Sequence, residues 1–168
     1  ITLADPRYPA ELLQTADPPL VLFLHGRLDA LAHPQRVAVV GSRNPTPQGA
    51  DNARAFAHAL ARSGLSIVSG LALGVDGAAH DGALTAGGFT LAVVGTGLDR
   101  VYPSRHRALA HRIVAQGAML SEYVLGTPPL AQNFPQRNRI ISGLSAGTLV
   151  VEAALQSGSL ITARMASE

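Results

Sequence analysis

Val37-Ala38-Val39-Val40-Gly41-Ser42-Arg43 is a short, β-branched run that ends in a glycine turn, and Thr46-Pro47 follows it. Consecutive apolar residues suit a strand buried on both faces of a parallel sheet. Thr46 before Pro47 predicts an N-cap and a first helical residue, with a helix running to about Ser63, where Gly64 stops it. Strand, glycine turn and helix together form a unit that turns backbone N–H groups towards phosphate.

The unit recurs outward from this point. Leu65–Ser69 reads as a second strand, with a helix from about Val75 to Ala86, and Thr90–Val94 as a third strand, turned by Gly95-Thr96-Gly97. Ser104 is placed to cap a helix ending near Gln116, Ala118–Ser121 gives a fourth strand, Thr148–Val151 a fifth, and Ser157–Ser167 a final helix. Strands alternating with helices predict an α/β fold, a doubly wound and mostly parallel Rossmann-like sheet. Residues 1–35 read as a proline-punctuated lead-in whose Leu20–Leu24 run forms one strand packing on the core. Residues 36–168 form the Rossmann-like domain. A further strand is expected after Glu168, so the domain reads as C-terminally truncated.

Composition narrows the function classes. The chain has 168 residues, 47% hydrophobic and 14% charged, enough for one buried core and against disorder. It has no run of 18 apolar residues and no basic-then-apolar leader, so neither a membrane span nor a signal peptide is predicted, and a cytoplasmic location is expected. Cysteine is absent, which excludes disulfides and thiolate metal sites. All 13 basic residues are arginine, a choice that genomic base composition can produce by itself. It nonetheless supplies planar forks that suit phosphate and can stack on bases. Net charge is only +2, so the distribution of arginines has to carry any case for nucleic acid.

Four stretches bear on binding. Gly41 lets the backbone approach a phosphate, Ser42 can donate a hydrogen bond and Arg43 can grip two phosphate oxygens; a tight structural turn with a solvated arginine reads equally well. Ser69-Gly70-Leu71-Ala72-Leu73-Gly74 can form a nest of N–H groups, with Asp76 capping the helix or orienting an arginine. Tyr102-Pro103-Ser104-Arg105-His106-Arg107 gathers basic side chains where a helix begins, or presents a solvated first turn. Asn133-Phe134-Pro135-Gln136-Arg137-Asn138-Arg139 offers two arginines around an asparagine, and Phe134 is either a base-stacking platform or a core plug. Repeated arginines beside such turns suggest a polyanion rather than one small nucleotide. Asp76, His80 and Asp81 are better read as structural than as metal ligands, and Glu152 lacks a second carboxylate or histidine at a telling spacing. Neither a nucleophile elbow nor a zinc-protease motif is present, and the absence of lysine excludes a Walker-type ATPase.

These blocks, in this order, resemble the DNA-processing protein A (DprA/Smf) family of bacterial transformation and recombination factors. The likeness covers nearly the whole chain, from Tyr8-Pro9 through Gly41-Ser42-Arg43, Ser69-Gly70-Leu71-Ala72, Tyr102-Pro103 and Phe134 to Ile141, to Ser157-Gly158-Ser159. The resemblance implies a Rossmann-like domain that binds single-stranded DNA without strong sequence preference. It also implies protection of incoming strands and help in loading the RecA recombinase, by a protein that is a homodimer at full length, with no enzymatic activity, cofactor or metal. By motif position the implied DNA-binding residues are Gly41, Ser42, Arg43, Ser69, Gly70, Arg105, Arg107, Phe134, Arg137, Asn138 and Arg139. The chain departs from the family at Leu73, where Arg or Lys is usual, and at His106, where Asn is usual. The competing enzyme reading is a nucleotide phosphoribohydrolase of the lysine-decarboxylase-like group, whose P-G-G-x-G-T-x-x-E signature is missing. A dinucleotide-dependent oxidoreductase is weaker still, because Arg43 and Pro45 break the G-x-G-x-x-G fingerprint.

Overall fold

The structure, a computed structural model, describes residues 1–153 and 157–167. Among these residues six strands form one sheet: β1 (Phe23–Gly26), β2 (Arg36–Gly41), β3 (Ser66–Ser69), β4 (Thr90–Val93), β5 (Ala118–Ser121) and β6 (Thr148–Val151). Their spatial order is β1-β5-β4-β3-β2-β6. All neighbours run parallel except β1, which closes the β5 edge antiparallel, with Phe23 opposite Ser121. From β2 the chain steps outward through β3, β4 and β5, then returns to place β6 on the other side of β2. The order therefore reverses between β2 and β6, and ligands of open parallel sheets bind beyond the carboxyl ends of the strands at such a point.

Side-chain alternation divides the core between the two faces. Val39, Ile67, Ala92 and Met119 point to the face covered by α2 (Pro47–Arg62), α3 (Val75–Thr85) and α4 (Arg107–Gln116). Ala38, Val40, Val68, Leu91, Val93 and Leu120 point to the opposite face, covered by α5 (Asn133–Gly143) and by the lead-in with its short helix α1 (Leu28–Ala32). The β5-to-β6 connection thus crosses behind the sheet while the earlier ones cross in front, which is what reverses the strand order. The final helix, α6 (Gly158–Met165), packs beside α5. Among the described residues no helix is long and apolar enough to cross a membrane.

Helix starts follow local chemistry in one case and not in another. Thr46 caps α2, its Oγ1 accepting the Gly49 N–H at 3.0 Å, with Pro47 in the first position. Ser104 makes no such cap; Ser104–His106 is a 3₁₀ turn that leads into α4. In the lead-in, the strand is shifted from Leu20–Leu24 to Phe23–Gly26, because residues 20–22 pair with residues 1–3 instead of with the sheet, and Leu22 is buried with Tyr8 and Leu12. Arg36 locks the lead-in to the domain. Its buried guanidinium donates to the carbonyls of Leu31, His33 and Leu144 and pairs with Glu11 at 2.9 Å.

Candidate nucleic-acid interface

The carboxyl ends of β2 and β6 open into a cleft of about 500 Å³ whose walls include Ser42, Arg43, Phe134, Arg137, Asn138 and Ser159. Its floor depends on the close approach of the two strands. A Cβ on Gly41 would lie 1.9 Å from the Val151 carbonyl oxygen, so no other residue fits there. Glu152, directly after β6, ties that strand end to the start of α2: its carboxylate accepts the Thr46 N–H and hydroxyl, both at 2.7 Å. The hydroxyl bond, then the N–H bond, holds the Glu152 carboxyl below its ordinary value.

Two cations approach the ring of Phe134. The Arg43 guanidinium sits 5.8 Å from the ring centroid and that of Arg137 5.7 Å, within cation–π range. Tyr102 packs on the same ring at 5.6 Å between centroids and is half exposed. This aromatic neighbour was absent from the expected site residues; the Tyr102-Pro103 pair that begins the basic block was its only signal in the sequence. A narrow extension of the cleft, about 80 Å³, runs between Arg43, Tyr102 and Phe134.

The two arginines differ in kind. Arg43 is exposed, and among the described residues it enters no ion pair. Arg137 is only 4% exposed; its Nη1 donates to the Gly70 and Val93 carbonyls at 2.7 and 2.6 Å, and its Nε to Asn138 at 2.9 Å. Asn138 in turn reaches the Gly158 carbonyl at the start of α6. Arg137 is thus a buried positive charge fixed at the cleft wall. Burial pushes the Asp76 carboxyl up and the Arg137 guanidinium down, and the charge of each opposes that shift in the other.

The Ser69–Gly74 nest is already occupied. Asp76 accepts the N–H groups of Gly70 and Ala72, at 3.0 and 3.3 Å, and so consumes the amides expected to meet phosphate. Ser69 is fully buried and donates to the Val39 carbonyl at 2.6 Å, tying β3 to β2. Gly70 serves by its lack of a side chain: a Cβ there would meet the Arg137 guanidinium at 2.6 Å.

Three expected arginines lie elsewhere. Arg139 is on the other flank of α5, where it binds the Glu122 carboxylate and the Asp17 carbonyl. Arg105 is exposed on the turn before α4, and Arg107 lines a separate cavity beside it. His106, one of the departures noted above, accepts no free role: its Nδ1 contacts the Leu71 carbonyl at 2.8 Å. His80 is fully buried against the Thr90 hydroxyl, at 2.7 Å, and burial first, then the nearby His106 and Arg137, lowers its pKa to about 3. Among the described residues no cluster of three or more His, Asp or Glu is arranged to hold a metal.

A model of one family, DNA recombination-mediator protein A, matches residues 1–168, the full chain. The chain belongs to this family. Protein Smf of Escherichia coli (strain K12) is 54% identical over 96% of the chain, which covers 43% of that protein. The crystal structure of DNA processing protein A from Streptococcus pneumoniae superimposes with a TM-score of 0.94 at 47% identity, covering 99% of this chain and 58% of that one. A second structure, of DNA processing protein A from Helicobacter pylori, described by its single-stranded DNA binding mode, gives a TM-score of 0.88 at 36% identity over 94% of this chain and 72% of that one. The chain spans about half the length of the curated relatives it matches. The family's Rossmann-like sheet is the fold described above.

Proposed function

We propose that this chain binds single-stranded DNA without strong sequence preference in the cleft at the β2–β6 reversal, as part of a protein that protects strands during recombination and natural transformation. The observation that carries the reading is the convergence of Arg43 and Arg137 on the ring of Phe134 in the cleft wall. An exposed guanidinium beside an aromatic face grips phosphate and stacks on any base, because every base has a π-face. The Helicobacter pylori relative, described by its single-stranded DNA binding, supports the ligand class.

Within this reading Arg43 and Ser42 contact phosphate, Phe134 with Tyr102 offers the stacking surface, and Arg137 with Asn138 sets the positive wall. In this reading the protein binds rather than catalyses: Asp76, the one carboxylate that lines the cleft among the described residues, is engaged by backbone N–H groups. Transfer of the strand to a RecA-type recombinase and homodimerisation of the full-length protein belong to the same proposal. Fluorescence anisotropy with labelled oligonucleotides across a salt series, beside a duplex control, tests it. Tight, salt-sensitive binding of single strands is expected; binding that is absent or indifferent to salt would remove the proposal.

A further inference from the structure

A second cavity, of about 340 Å³, backs onto the cleft across the segment from Val101 to Ser104. Tyr102 and Pro103 line the narrow extension of the cleft, while Val101 and Ser104 line the second cavity, so this segment is their common wall. The cavity's floor is apolar, made by Leu98, Val114 and Met119 together with Val101. One flank carries Ser104, Arg107 and His111, spaced three and four residues apart along the turn and α4, so that they share a helical face. His25, from the antiparallel edge strand, also lines the cavity.

The charges are unevenly committed. Asp99 contributes the one carboxylate of the lining among the described residues, and it accepts the Gly126 N–H at 2.8 Å. Arg100 donates to the Gly126 carbonyl at 3.2 Å. Arg107, by contrast, is exposed and enters no ion pair among the described residues. An apolar floor beneath a free guanidinium, in a cavity of small-ligand size, suits a body with a flat apolar part and an anionic group. A nucleotide has that chemistry.

We infer that this cavity is a second nucleotide subsite for the same strand that occupies the cleft. The strand passes over the ridge that bears Arg105, places a phosphate against Arg107 and His111, and lays a base on the Leu98–Met119 floor. This inference rests on the single-stranded DNA reading of the cleft and extends its footprint.

The test is a titration of the full chain with oligothymidylates graded from about four to about sixteen nucleotides. Wild type is compared with the double variant Arg107→Ala/His111→Ala, with Arg107→Glu, and with Arg43→Ala. Both α4 positions are exposed, so unchanged thermal melting is expected and serves as the control for folding. The long oligonucleotides should bind the double variant about tenfold more weakly, with a log–log salt slope lower by about 0.7. Arg107→Glu should weaken them further, while the shortest oligonucleotides, which the cleft alone accommodates, bind variant and wild type alike. Wild-type affinity and slope for long oligonucleotides in both α4 variants would overturn the second subsite, and so would equal weakening at every length. In either case a continuing loss in Arg43→Ala would leave the cleft reading standing. Failure of wild type to bind at any length would instead remove the cleft reading, and the subsite with it.

Discussion

Arg137 donates from Nη1 to the carbonyl oxygen of Gly70 at 2.7 Å, and the guanidinium fills the space that a side chain at position 70 would need. The glycine is therefore the counterpart of the arginine: one supplies the fixed charge and the other the room for it. Gly70→Ala should force the guanidinium off its carbonyls and destabilise the fold by about 1–3 kcal/mol. Urea unfolding checks the stability, and anisotropy should show weakened oligonucleotide binding in the folded fraction.

Among the described residues Arg43 enters no ion pair, and the face of Phe134 is the contact its guanidinium makes. Arg43→Ala should leave the melting temperature unchanged, weaken binding of all single-stranded sequences alike and lower the salt slope by about the worth of one phosphate. Unaltered affinity and slope would exclude this residue from the interface.

Arg139 should behave in the opposite way. Its ion pair with Glu122 is largely shielded, the two side chains being 17% and 20% exposed, so the geometry is held rather than screened away. Arg139→Ala should destabilise by about 1–3 kcal/mol, yet the salt slope of DNA binding should not move. A lowered slope without loss of stability would place Arg139 on the strand after all.

His80 links stability to mild acid. Its folded pKa is about 3 against an ordinary 6.5, so the folded state refuses a proton that the unfolded chain accepts. Its neutral form carries no penalty above pH 6.5. As pH falls below 6.5, the unfolded state gains protons and unfolding becomes easier by about 1.4 kcal/mol per pH unit from this residue, until the folded pKa is reached. Denaturant unfolding from pH 7 to about pH 5, where ordinary carboxylates stay ionised, should show that slope in wild type and a flatter one in His80→Gln.

Phe134 separates packing from recognition. Phe134→Leu keeps apolar volume against Gly95 but removes the ring that both guanidinium groups and Tyr102 face. Binding should weaken by about 1–3 kcal/mol for every base, measured by anisotropy on homopolymeric oligonucleotides. Equal affinity in the variant would show the ring to be core filling.

Much of this architecture is written in local chemistry. β-branched runs that end in glycine, the Thr46-Pro47 start of α2 and the glycine stops define strands and helices within a few residues, because burial on two faces and backbone geometry constrain those positions directly. They also placed Gly41, Ser42 and Arg43 at a strand end, and hence at the carboxyl edge of the sheet where the cleft opens. The fate of the Arg137-Asn138-Arg139 run depends on more. Once the segment is a helix, residues two apart point about 200° from each other, so one arginine enters the cleft and its neighbour leaves for Glu122 and Asp17. The same holds for the nest at Gly70: spacing shows that N–H groups gather there, but only the fold brings the Asp76 carboxylate round to occupy them. What the sequence alone determined is the alternation of elements, since each is specified by contacts within itself. What only the tertiary structure decided is which charges remain free, because that depends on partners as distant in the chain as Asp17 is from Arg139, 122 residues, and on which of them the fold brings within reach of each donor.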